Sequence, residues 1–240
     1  MFHFKQFYIN DEACAMKIGT DGVLLGAWAD AHVVAEQSPL RCADIGAGSG
    51  LIAMMIAQRY PKAEITAVEI DPDACRCAQA NIAAVPTFAS RISVENSDFA
   101  DYAAACPAAS LHLIVSNPPF FSGGLVAPNA SRARARHQSQ LSYAALIGFA
   151  AKALTPEGSL AIVTPADCRD DITMTAELAR LKIRRLCTVT TREGRPPARI
   201  LWQFSRTDGP IVSETLTLRH TDNTYTDEYR RLTADFYLHF

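Results

Sequence analysis

The chain has 240 residues, 49% of them apolar and 8% aromatic, with a formal net charge of −2. That length and content suit one sizeable α/β domain and exclude a disordered chain, and no apolar run is long enough for a membrane-spanning helix. Seven scattered cysteines, an odd number without zinc-type spacing, point to reduced thiols in a cytoplasmic protein with no metal site, and the start Met1–Phe7 has no signal-peptide pattern.

Residues 1–40 read as an N-terminal extension of a single domain covering 1–240. "RCADIGAG" ends a first strand, and "SGLIAMMIAQRY" continues as a helix that stops at Pro61. "AEITAVEI" is a second strand. Asp71-Pro72 opens the next helix, with Asp71 as N-cap and Pro72 at the first helical position. "RISVENSDF" is a third strand and "LHLIVSNPP" a fourth, apolar enough to be central. "SYAALIGFAAKALTPEG" reads as a helix capped by Ser142 and closing at Pro156-Glu157-Gly158. "SLAIVTP" is the fifth strand. A helix to about Leu181 follows, then strand-like runs at "LCTVTT", "ARILWQFSR" and "VSETLTLRH". Strands alternating with helices predict a largely parallel sheet covered on both faces.

The loop "DIGAGSG" joins the first strand to the first helix. Gly46, Gly48 and Gly50 permit close approach of the backbone to a ligand. Glu69 ends the second strand, where a carboxylate can accept both hydroxyls of a ribose. The dinucleotide fingerprint G-x-G-x-x-G fails, because Leu51 occupies its third glycine position. Asp44 before the loop would repel a pyrophosphate but suits the ammonium of an amino acid. A nucleoside with a cationic tail and no phosphate describes S-adenosyl-L-methionine; the plainer reading is a tight packing turn. Asp98 either accepts the adenine amino group or caps the following helix, and Phe99 packs on the ring.

The fourth strand ends in "SNPPFF", on the same carboxyl edge as the glycine loop. There Asn117 faces the methyl donor. A planar amino group is a poor nucleophile, because its lone pair is delocalised. Two acceptors for its two hydrogens, the Asn117 side-chain oxygen and the Pro118 carbonyl, draw the nitrogen toward tetrahedral geometry. Pro118 and Pro119 fix the corner, and Phe120 stacks on the planar group. The alternative is a turn with buried aromatics.

At these residues the chain resembles class I methyltransferases that act on planar nitrogens through an (Asn/Asp)-Pro-Pro-aromatic motif. "FKQFYI", "KIGTDGVLLGAW", "DIGAGSGLIAMMIAQR", "AVEID", "SNPPFF", "RARARH" and the closing "TADFYLHF" together resemble the bacterial tRNA1(Val) adenine-37 N6-methyltransferase family. The usual aromatic of the tetrapeptide is tyrosine, and here it is Phe120. Stacking survives that change; any hydroxyl contact does not. The resemblance implies a Rossmann-like class I methyltransferase fold with a largely parallel seven-stranded sheet. It implies an extension packed near the cofactor site, with Thr20 and Asp21 over the cofactor's amino-acid end. It further implies N6-methylation of adenine 37 in the tRNA1(Val) anticodon loop.

From Ser131 to Arg206 the chain carries thirteen Lys/Arg against six Asp/Glu, a local +7 that leaves −9 elsewhere. Arg132, Arg134 and Arg136, if extended, face one way and can track phosphates, and His137 can stack on or bond to a base. Arg192, Arg195 and Arg199 form a second basic cluster. An RNA substrate, here tRNA, accounts for both clusters; a charged loop without a partner is the plainer alternative. Two rivals stay open. One methylates a release-factor-type glutamine amide or another RNA or DNA adenine, and the other is a nucleotide-binding regulatory module without chemistry. The oligomeric state is not read from the sequence.

Overall fold

The alternation of strands and helices builds the expected layered sheet. The computed structural model describes residues 1–12, 14, 17–31, 39–118 and 141–239. β3 (Leu40–Ile45) lies inside the main sheet. β4 (Ala63–Glu69) and β5 (Ile92–Asn96) extend it on one side. β6 (Leu111–Ser116) and β7 (Leu154–Pro165) extend it on the other, followed by β9 (Arg199–Ser205), β8 (Lys182–Thr190) and β10 (Val212–Thr217). The order is β10-β8-β9-β7-β6-β3-β4-β5, and β9 alone runs against its neighbours. The main sheet has eight strands among the described residues, one more than expected. β10 adds the eighth by pairing in parallel with Arg185–Thr190 at the sheet's edge.

β3 borders both halves, so the chain changes direction between β3 and β6. Open α/β sheets bind ligands at the carboxyl ends of strands flanking such a switch point. Ile114, Val115, Ile162 and Val163 are buried, which accounts for the unbroken apolar runs of β6 and β7.

α1 (Thr20–Trp28), α2 (Leu51–Arg59), α3 (Pro72–Ala83), α4 (Pro86–Ala89) and α8 (Asp227–Thr233) contribute to one apolar layer. α5 (Phe99–Ala105), α6 (Tyr143–Ala153) and α7 (Arg169–Leu178) contribute to a second. The expected caps are present. Asp71 accepts from the Asp73 N–H at 3.0 Å with Pro72 at the first position, and Ser142 Oγ accepts from the Ala145 N–H at 3.1 Å. α6 ends at Ala153, before the expected Pro156-Glu157-Gly158. The N–H groups of Ala109 and Ser110 donate to the last carbonyls of the helix, Lys152 and Ala153, at 3.0 and 2.8 Å. From Leu154 the chain is already strand, paired to Leu111.

The N-terminal segment is tied down at three places. β1 (Phe2–His3) and β2 (Tyr8–Ile9) form a small hairpin. Phe4 bridges to Tyr237, and the Lys5 N–H donates to Phe236 O at 2.8 Å, so the first and last segments meet. Asn81 on α3 is 2% exposed; its amide donates to Asn10 O and Ser49 O at 3.0 Å, and its oxygen accepts from the Asn10 N–H at 2.9 Å. α1 then lies on α2, where Gly26 meets Met55 and Gly22 meets Leu51 and Ile52. Gly22 and Gly26 are four residues apart and share a helix face, so the two backbones come close.

Candidate active site

Gly46, Gly48, Glu69, Asp98, Phe99 and Asn117 stand at the carboxyl edge of the sheet. The turn after β3 is held against the end of β4: the Gly46 and Ala47 N–H groups donate to Val68 O at 2.9 and 3.0 Å. Gly46 and Gly48 adopt φ of 74° and 55°, a region that side chains with a Cβ rarely enter. That conformation turns the Gly48 N–H toward Glu69 Oε2, at 2.8 Å, while Glu69 Oε1 accepts from the Asp71 N–H at 2.9 Å. Each carboxylate oxygen has a second lone pair. Glu69 is therefore fixed in orientation and keeps acceptor capacity for two ribose hydroxyls.

Ile45, Gly46, Val68, Glu69, Ile70, Ser97, Asp98, Phe99 and Leu141 line an open cleft. Gly46, Glu69, Asp98 and Phe99 are thus brought together. Asp98 also caps α5, accepting from the Ala100 N–H at 2.7 Å through Oδ1, so the capping alternative holds. Phe99 is buried and packs edge-on against Phe149, with centroids 5.5 Å apart.

Asp44 is placed differently from a simple contact residue. It has no exposed surface and is not among the cleft-lining residues. Its Oδ2 accepts from the Ala53 N–H at 2.9 Å, which pins it beneath the loop, and Oδ1 has no partner among the described residues. Burial pushes its pKa up to about 7, against the pull of the Ala53 hydrogen bond and with a further push from the Glu69 charge. A buried acceptor lacking a donor fits a group of positive charge nearby.

Next to β3, the end of β6 carries the asparagine corner. Ser116 is fully buried, and its hydroxyl donates to Ile45 O at 2.6 Å, fixing the corner to the start of the glycine loop. Asn117 is half-buried and Pro118 buried. A Cβ on Gly22 would stand 3.8 Å from Asn117 Nδ2, so the start of α1 lies directly beside the corner. Thr20 is exposed; Asp21 makes an ion pair with Arg199 Nε at 2.8 Å. Neither lines the cleft. Tyr143 adds a hydroxyl closed to solvent, without a partner among the described residues. Pro119, Phe120, Arg132, Arg134, Arg136 and His137 lie outside the described residues.

Sequence reasoning missed Ile70 and Leu141, the apolar walls of the cleft, and Gly22, Asn81 and Ser116, which hold the surroundings in place. Ile70 has one signal: it is a large apolar residue, 37% exposed, directly after the expected ribose acceptor.

Comparison with known proteins agrees with this geometry. The family model described as methyltransferase small domain matches residues 31–185. A Porphyromonas gingivalis protein named tRNA1(Val) (adenine(37)-N6)-methyltransferase is 43% identical, covering 99% of this chain and 94% of its own. Proteins of the same name from Phocaeicola vulgatus and Tolumonas auensis are 41% and 40% identical, each over 99% of this chain and 97% and 96% of theirs. Among solved structures, a predicted O-methyltransferase from Agrobacterium tumefaciens superposes with a TM-score of 0.68 at 21% identity, over 90% of this chain and 96% of its own. That likeness shows the fold, a Rossmann-like class I methyltransferase sheet.

Proposed function

The chain belongs to the tRNA1(Val) (adenine(37)-N6)-methyltransferase family, and we propose that it methylates N6 of adenine 37 in tRNA1(Val), in the cytoplasm, with S-adenosyl-L-methionine as donor. The observation that carries this reading is the asparagine corner beside the Glu69-pinned glycine loop. β6 and β3 are neighbours, so donor and acceptor sites adjoin across about 5 Å of sheet.

In this reading Glu69 holds the ribose, with Gly46 and Gly48 allowing close approach. Asp98, Phe99, Ile70 and Leu141 enclose the adenine. Asp44 supplies negative potential from beneath the loop. The donor, when bound, supplies an electrophilic methyl on a sulfonium. The chain's own part is alignment. Asn117, with its amide nitrogen turned toward α1, offers its oxygen to one hydrogen of the target amino group, and the Pro118 carbonyl accepts the other. The two bonds strengthen as the nitrogen becomes tetrahedral, so they act mainly in the transition state. Phe120 stacks on the flipped base, and Arg132, Arg134, Arg136 and His137 grip the RNA around it. Thr20 and Asp21, at the start of α1 beside the Asn117 corner, face the amino-acid end of the donor.

Incubation with labelled donor and unmodified tRNA, beside unmodified release factor, tests the substrate class. N6-methyladenosine in the tRNA is the expected product. Label on a protein glutamine alone would contradict the reading, as would donor binding without transfer to either.

A further inference from the structure

The basic turn between β8 and β9 is not used by the site described above. β8 ends at Thr190 and β9 begins at Arg199, and the register pairs Val189 and Pro165 with Arg199. The turn therefore stands on the carboxyl edge, the edge that bears Asn117. β8 lies three strands from β6, which puts the turn about 14 Å from the corner along the sheet.

We infer that this turn is a preformed RNA-backbone ledge, with Arg195 as its phosphate contact, carrying the substrate from the catalytic corner toward the β10 edge. The inference rests on the tRNA reading. Three features support it. The turn is held in one shape: Gly194 sits at φ 78°, the Arg195 N–H donates to Arg192 O at 3.1 Å, and Pro196-Pro197 follow. It is also fastened to the neighbouring turn, where the Glu193 N–H donates to Arg219 O at 2.9 Å and Arg192 Nη2 donates to Thr221 O. Second, the turn's one acid is engaged within the two turns. Glu193 Oε1 pairs with His220 Nδ1 at 2.7 Å and Oε2 accepts from the Thr221 N–H at 3.1 Å. Third, Arg195 is exposed at the head of this rigid turn. A guanidinium carried on an anchored backbone, on a chain of net charge −2, gives a local contact, not a general pull on polyanions. Such a contact positions RNA and does not read its sequence.

The test compares R195A, R195K and K182A with the wild type on tRNA1(Val). Lys182 begins the same strand at the opposite edge of the sheet, so it serves as the control. For R195A we expect KM for tRNA to rise about five- to tenfold, with kcat within about twofold and donor affinity unchanged. The slope of log K against log salt should fall by about 0.7–0.9, the loss of one phosphate contact. R195K should recover most of the affinity, and K182A should match the wild type. R195A with wild-type KM and slope overturns the inference, as does an equal loss in K182A. A wild-type protein that transfers nothing to tRNA overturns the reading beneath it, and the inference with it.

Discussion

At the scale of single residues, the proposed donor site turns on two carboxylates with opposite surroundings. Glu69 is anchored by two backbone N–H groups and opens on the cleft. Glu69→Ala should weaken S-adenosyl-L-methionine binding by about 1.5–3 kcal/mol, the scale of hydrogen bonds to a charged group. Calorimetric titration checks this, and unchanged affinity in a folded variant would remove Glu69 from the site. Asp44 is buried with one oxygen unpartnered among the described residues, and its pKa is pushed from 3.8 up to about 7. Between those values the ligand-free folded protein holds a proton that the unfolded chain has lost. Stability tied to this group is therefore lost as pH rises from about 4 through 7. Asp44→Asn removes that dependence. Its advantage over the wild type should grow from pH 5 to pH 8 by about 2–4 kcal/mol, read by denaturant unfolding without ligand. Parallel pH profiles for the two proteins would show that Asp44 does not titrate there.

At the scale of elements, the position of α1 decides what stands beside Asn117. Gly26 lets α1 settle on α2: a Cβ there would come within 2.6 Å of Met55 Sδ and 3.0 Å of Met55 Cβ. Ala normally stabilises a helix interior over Gly by about 0.5–1 kcal/mol. Here overpacking should win, so Gly26→Ala should destabilise by about 1–3 kcal/mol. Thermal unfolding gives the sign directly, and a stabilised variant would mean that the α1–α2 contact is looser than described. The strands and most helices were legible because buried parallel strands are apolar runs, and because Asp71 and Ser142 are local caps. The end of α6 was not. Its last carbonyls are taken by Ala109 and Ser110, more than forty residues earlier, and no local pattern carries that.

At the scale of the whole molecule, the same division holds for the site. Gly46, Gly48, Glu69, Asp98 and Phe99 follow strand ends, and an alternating fold brings strand ends to one edge, so their meeting could be read from the chain. The partnership of Asp21 with Arg199 spans 178 positions, and the Asn81 stitch to Asn10 spans 71. Such pairs depend on tertiary packing and leave no spacing signal. Asp44 was legible as an acid at the glycine loop, but not as a group pinned below it, because the Ala53 N–H that holds it belongs to the next helix. In the proposed function, the donor cleft and the Asn117 corner serve a single adenine.

The most direct test uses tRNA1(Val) transcripts with adenine or guanine at position 37, the wild-type protein and Asn117→Ala. The account predicts N6-methyladenosine at position 37 of the first transcript and none in the second. It also predicts that Asn117→Ala binds donor normally yet loses about 10²–10³ in kcat, the scale of a lost transition-state acceptor. Methylation that persists in the guanine-37 transcript, or near-normal turnover by Asn117→Ala, would contradict it.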